Sequence, residues 1–66
     1  MTPEIARQLR FLAGIPGGNT TMRKEELAEM LMDTGGNLLA CGRLYNFKTK
    51  HLGAGVYRVS LELANP

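Results

Sequence analysis

The sequence predicts a single α+β domain over residues 1–66, with two to three short helices followed by a C-terminal antiparallel β-hairpin. Apolar residues recur at helical spacing twice in the first half, and clusters of glycine and proline separate the two runs. The last third instead alternates apolar and polar residues with the period of a strand. A chain of 66 residues is too short for two cores, and on folding it buries only roughly 60% of the surface its unfolded form exposes.

Thr2, Pro3 and Glu4 mark the start of the first helix. Thr2 supplies a capping oxygen, Pro3 loses nothing where its missing N–H would be unpaired, and Glu4 complements the helix dipole. Ile5, Leu9 and Leu12 then line one face, so a helix over about residues 3–13 is expected. Gly14 offers a left-handed C-terminal position and Pro16 blocks continuation. Asn19, Thr20 and Thr21 provide capping side chains for a second helix over about 22–33. There Leu27, Met30 and Leu31 share one face, Glu25, Glu26 and Glu29 the other, and Gly35-Gly36 ends the run.

Residues 37–47 fit two periods. Helical spacing places Leu38, Cys41, Leu44 and Tyr45 together, whereas period two groups Leu39, Cys41, Tyr45 and Phe47 around an intervening Arg43. The reading adopted is a short third helix over about 36–44, although Gly42 costs it about 1 kcal/mol relative to alanine. Beyond it, Tyr45, Phe47 and Thr49 alternate with Asn46, Lys48 and Lys50. Tyr57, Val59, Leu61 and Leu63 alternate with Arg58, Ser60 and Glu62. The glycine-bearing segment His51–Gly55 joins the two strands as a hairpin loop, and Lys48, Lys50 and Arg58 fall on the outward face.

The order helix, glycine-rich connection, helix, tight turn, short helix, hairpin resembles a compact winged helix-turn-helix domain. The segment from Lys24 to Met32 looks like the first helix of such a motif, with Ala28 at the close helix crossing and Leu27 and Leu31 toward the core. The resemblance makes Leu38 and Cys41 the inward residues of a recognition helix and puts Lys48, Lys50 and Arg58 in or beside the wing. A winged-helix-like fold that binds double-stranded DNA, as a small transcriptional regulator of bacterial or phage type, is what it implies.

Charge supports that class of partner. The net charge of +2 hides an asymmetry: residues 1–33 carry five acids against four bases, while from Thr34 to Leu61 there is no acid and Arg43, Lys48, Lys50 and Arg58 are all basic. On the helical reading Asn37 and Arg43 lie outward, and these residue types bond adenine and guanine bidentately. Lys48, Lys50, His51 and Arg58 would grip phosphate from the wing. So few bases bind weakly alone, so a homodimer or cooperative binding is expected. The competing class is a small protein–protein interaction module, an inhibitor or adaptor docking on a partner protein.

Other classes find little support. Cys41 and His51 are the only cysteine and histidine, so an intramolecular disulfide and a His–Cys zinc cage within one chain are excluded, and no metal or small-molecule cofactor is expected. No set of residues converges on a nucleophile, base and orienting group, so no enzyme is expected. No run approaches the ~18 apolar residues of a membrane span. A cytoplasmic location without membrane contact is the expectation.

Overall fold

The computed structural model describes residues 1–64. Its elements run α1 (Pro3–Ala13), β1 (Asn19–Arg23), α2 (Lys24–Thr34), β2 (Asn37–Ala40), β3 (Arg43–Gly53) and β4 (Val56–Leu63). The four strands form one antiparallel sheet in the order β1-β4-β3-β2.

The helices start where local chemistry directs them. Thr2 Oγ1 accepts a hydrogen bond from the Ile5 N–H at 3.2 Å and caps α1. Gly14 ends that helix in a right-handed conformation at φ −92°, not the left-handed one expected; the left-handed Gly17, at φ 73°, belongs to the next turn, where the Gly18 N–H donates to the Ile15 carbonyl at 3.0 Å. α2 starts at Lys24, and its Glu26 carboxylate accepts from the Arg23 N–H at 3.0 Å. It closes on Gly35 at φ 68°, whose N–H donates to the Leu31 carbonyl, a left-handed end suited to glycine.

The expected architecture of helices followed by a single hairpin, winged-helix-like, is incorrect in three places. Asn19, Thr20 and Thr21 do not cap α2; with Met22 and Arg23 they form β1, which pairs with β4 from Asn19↔Ser60 to Arg23↔Val56. Residues 37–44 form no third helix. β2 turns at Cys41-Gly42 and returns as β3, in register from Asn37↔Asn46 to Ala40↔Arg43. Cys41 and Gly42 both have positive φ, 54° and 72°, as the tightest hairpin turns require. The second hairpin is longer than expected, because β3 continues to Gly53 and the turn is Ala54-Gly55, also at positive φ (53° and 72°). Within the supposed helix-turn-helix, Ala28 and Cys41 are exposed, Leu31 is largely so, and Met30 takes the fully buried position.

Both helices cover the same face of the sheet. Ile5, Leu9 and Leu12 of α1 and Leu27 and Met30 of α2 pack with Met22 and Val59, and Leu38, Phe47, Tyr57 and Leu61 lie half-buried against them. Leu9, Met30 and Val59 are fully buried and mark the centre of the core. The Tyr45 hydroxyl donates to the Ala13 carbonyl at 3.2 Å and ties β3 to the end of α1. Among the described residues, no helix covers the opposite face of the sheet.

Candidate nucleic-acid interface

Strand parity assigns each side chain to a face, because residues directly opposite in an antiparallel pair point the same way. Tyr45, Phe47, Tyr57, Val59 and Leu61 point to the helices, so the even-numbered residues of β3 and β4 form the open face. Read across the strands, that face is a series of rows. Leu39 lies opposite Leu44 at one end, followed by Asn37, Asn46 and Glu62. Next come Lys48, Ser60 and Asn19, then Lys50, Arg58 and Thr21, and finally Val56 and Arg23 at the far end. The face therefore grades from apolar to polar to cationic.

Lys48 and Lys50 are two residues apart on β3, about 7 Å, and Lys50 sits directly opposite Arg58, with Cβ atoms about 5 Å apart at such positions. Together with Thr49 and Ser60 they line a shallow depression of about 190 Å³. The three cationic side chains are exposed, and among the described residues no ion pair involves them or Arg23. Among the described residues, Glu62 is the only acid on this face. Glu25, Glu26, Glu29 and Asp33 belong to α2 on the other side of the sheet, where Glu29 and Asp33 meet the Met1 ammonium group.

The six residues expected to contact DNA separate into groups. Lys48, Lys50 and Arg58 come together as the sequence pattern anticipates. Asn37 joins their face as a strand residue opposite Asn46, not as the outward residue of a recognition helix. Arg43 pairs with Ala40 and points to the helix side, in a groove with Ala13, Gly14, Cys41 and Tyr45, so Asn37 and Arg43 form no reading pair. His51 also faces the helix side, where its ring stacks on Tyr57 at 4.7 Å and 28°. Arg23, Thr21 and Asn19 were not anticipated on this face; membership in β1 is the signal that places them there, and β1 is invisible without its partner strand, whereas Asn46 follows from the same alternation as Lys48 and Lys50.

Cys41 lies in the turn before β3 and His51 near its far end, about 26 Å along the strand from Arg43, so thiol and imidazole do not converge. Among the described residues, no group of three or more His, Cys, Asp or Glu side chains could hold a metal ion, and no helix is long and apolar enough to cross a membrane. No family model matches this chain, and comparison with curated proteins and with solved structures finds no match to either.

Proposed function

We propose that this chain is a small protein that binds double-stranded DNA through the helix-free face of its sheet. The carrying observation is the Lys50–Arg58 cross-strand pair, with Lys48 beside it. Like charges placed directly opposite destabilise a sheet, and a domain this small has little stability to spare. A bound phosphate would turn that repulsion into attraction. Lysines are also placed on edges to stop sheets from pairing edge to edge, and β3 beyond Asn46 has no partner on its β2 side, so Lys48 and Lys50 serve that purpose as well. Arg58, on β4 between β1 and β3, lies on no edge, and that explanation does not cover it.

Duplex DNA fits the face better than a single strand. Single-strand binders stack bases on exposed aromatic rings, and the described open face carries none; Tyr45, Phe47 and Tyr57 point to the helices. The cationic rows are three strands wide, about 10 Å between the outer strands, and with their side chains exceed the two-stranded ribbon that the ~12 Å major groove admits. The face would lie on the backbone, with Lys48, Lys50, Arg58 and Arg23 at phosphates and the hydroxyls of Thr21 and Ser60 beside them. Such contact favours general duplex binding over base readout. Any control of transcription would come from occupying the DNA.

Fluorescence anisotropy with a labelled duplex at several salt concentrations tests this. Four phosphate contacts give a slope of log K on log salt of about −3.6, and dissociation constants of about 10⁻⁴–10⁻⁶ M are expected at physiological salt. Replacing Lys48 and Lys50 together with alanine should flatten the slope by about 1.8. An unchanged slope in that variant would overturn the assignment of this face. Absence of salt-dependent binding by the wild type would favour the interaction module instead. That second reading draws support from a groove beside β1 formed by Gln8, Phe11, Leu12, Ile15 and Thr20, with Phe11 70% exposed.

A further inference from the structure

We infer that β2 is a self-association edge, through which two copies of this chain pair about a two-fold axis centred on Leu39. β2 is one of the two edges of the sheet, and its sequence, Asn37-Leu38-Leu39-Ala40, has neither charge nor proline. Soluble proteins usually guard an edge with such residues. The other edge, β1, is guarded: it carries Arg23 and two threonines, and the Thr20 hydroxyl donates to the Gln8 side chain at 3.5 Å.

The backbone of β2 is set up for pairing. Ala40 and Arg43 flank the two-residue turn and exchange the closing hydrogen bonds, so Leu39 and Leu44 form the next, non-hydrogen-bonded pair. In agreement, the Leu44 carbonyl accepts from the Ala64 N–H at 3.0 Å, pointing away from β2. The N–H and C=O of Leu39, and those of Asn37, therefore point out of the sheet edge. Across an axis perpendicular to the sheet, Leu39 of each copy exchanges two hydrogen bonds with Leu39 of the other.

The side chains and charges fit a second copy in this geometry. Leu39 is 73% exposed and Leu44, directly opposite, 42%, an apolar pair at the β2 end of the open face, separated from Val56 at the far end by the polar and cationic rows. The perpendicular axis keeps both open faces on one side, so the leucines of both copies meet in one cluster. Lys48 lies four residues beyond Leu44 along β3, about 13 Å, farther than the ~8 Å Debye length at physiological ionic strength. The two cationic patches therefore do not oppose pairing, and they end up on the same face of one continuous eight-stranded sheet. Four-residue strands give a contact below the ~1,600 Å² of a standard interface, so the dimer is a transient, concentration-dependent one. This goes beyond the DNA reading and does not depend on it.

Sedimentation velocity on DNA-free protein from micromolar to millimolar concentration tests the inference, together with hydrogen exchange at the Leu39 amide. Monomer should convert to dimer over that range, and the Leu39 amide should become protected as it does. The Leu39→Lys variant should stay monomeric with an unchanged far-UV circular dichroism spectrum. A wild type that stays monomeric at millimolar concentration overturns the proposal, as does a Leu39→Lys variant that dimerises like the wild type. Dimerisation without protection of Leu39 also overturns it, because another surface would then hold the copies together, and this readout stands even if the lysine variant folds poorly.

Discussion

Cys41 and Ala54 hold the backbone at positive φ, 54° and 53°, each just before a glycine at 72°. Side chains other than those of glycine, asparagine and aspartate enter this region at a cost of roughly 1–2 kcal/mol. The favoured pair for such a turn is Asn-Gly, so Cys41→Asn and Ala54→Asn should each stabilise the fold by about 0.5–1 kcal/mol. For a domain of this size that raises the melting temperature by about 2–8 °C, readable in a thermal melt followed by circular dichroism. A fall in melting temperature would show that the turns are not strained at these residues. The same two residues explain how part of the fold escaped detection. Without Asn or Asp before glycine, the Cys41-Gly42 turn lacks the usual hairpin signature, and Gly42 reads as a blemish in a helix. The shared face of three candidate residues was legible at this scale, Lys48, Lys50 and Arg58, because alternation along a strand fixes a face without reference to partners.

Helix α1 is the element written most fully into its own residues. Its cap, its proline at the first turn and its inward Ile5, Leu9 and Leu12 are local features, and the helix runs from Pro3 to Ala13 as they direct. Thr2→Ala should therefore cost about 1 kcal/mol and lower the urea midpoint without changing the slope of the transition; an unchanged midpoint would show that the cap does not contribute. β1 and β2 are the opposite case. They are five and four residues long, with one buried residue each, Met22 and Ala40, too few to display a period. The threonines of β1 suit a helix cap and a strand equally, since threonine has both a capping hydroxyl and a β-branched side chain. Pairing with β4 decides between them.

Across the whole molecule, the core joins elements far apart in sequence. Leu9 from α1, Met30 from α2 and Val59 from β4 are all fully buried. Truncating such a residue, as in Leu9→Ala, should cost about 2–5 kcal/mol, comparable to the ~3–5 kcal/mol a single core supplies below 70–80 residues. The expected result is loss of a cooperative thermal transition near room temperature; a well-folded variant melting close to the wild type would contradict this account of the core. Charge also divides at this scale. α2 carries four acids on the helix side, and the open face carries Arg23, Lys48, Lys50 and Arg58.

The sequence by itself determined the helix pair, the glycine stops and the alternating strands of the second hairpin, because hydrophobic period and capping are properties of contiguous residues. It also showed that the stretch from Thr34 to Leu61 carries bases and no acid. Tertiary structure alone decided that residues 19–23 and 37–44 are extended, that both helices cover one face, and that Arg23 joins Lys48, Lys50 and Arg58 while Arg43 and His51 turn away. The reason is the nature of a strand: its hydrogen bonds are completed only by another segment, here 33 to 41 residues away for β1 and β4. A short stretch therefore becomes a strand only when the fold supplies that partner.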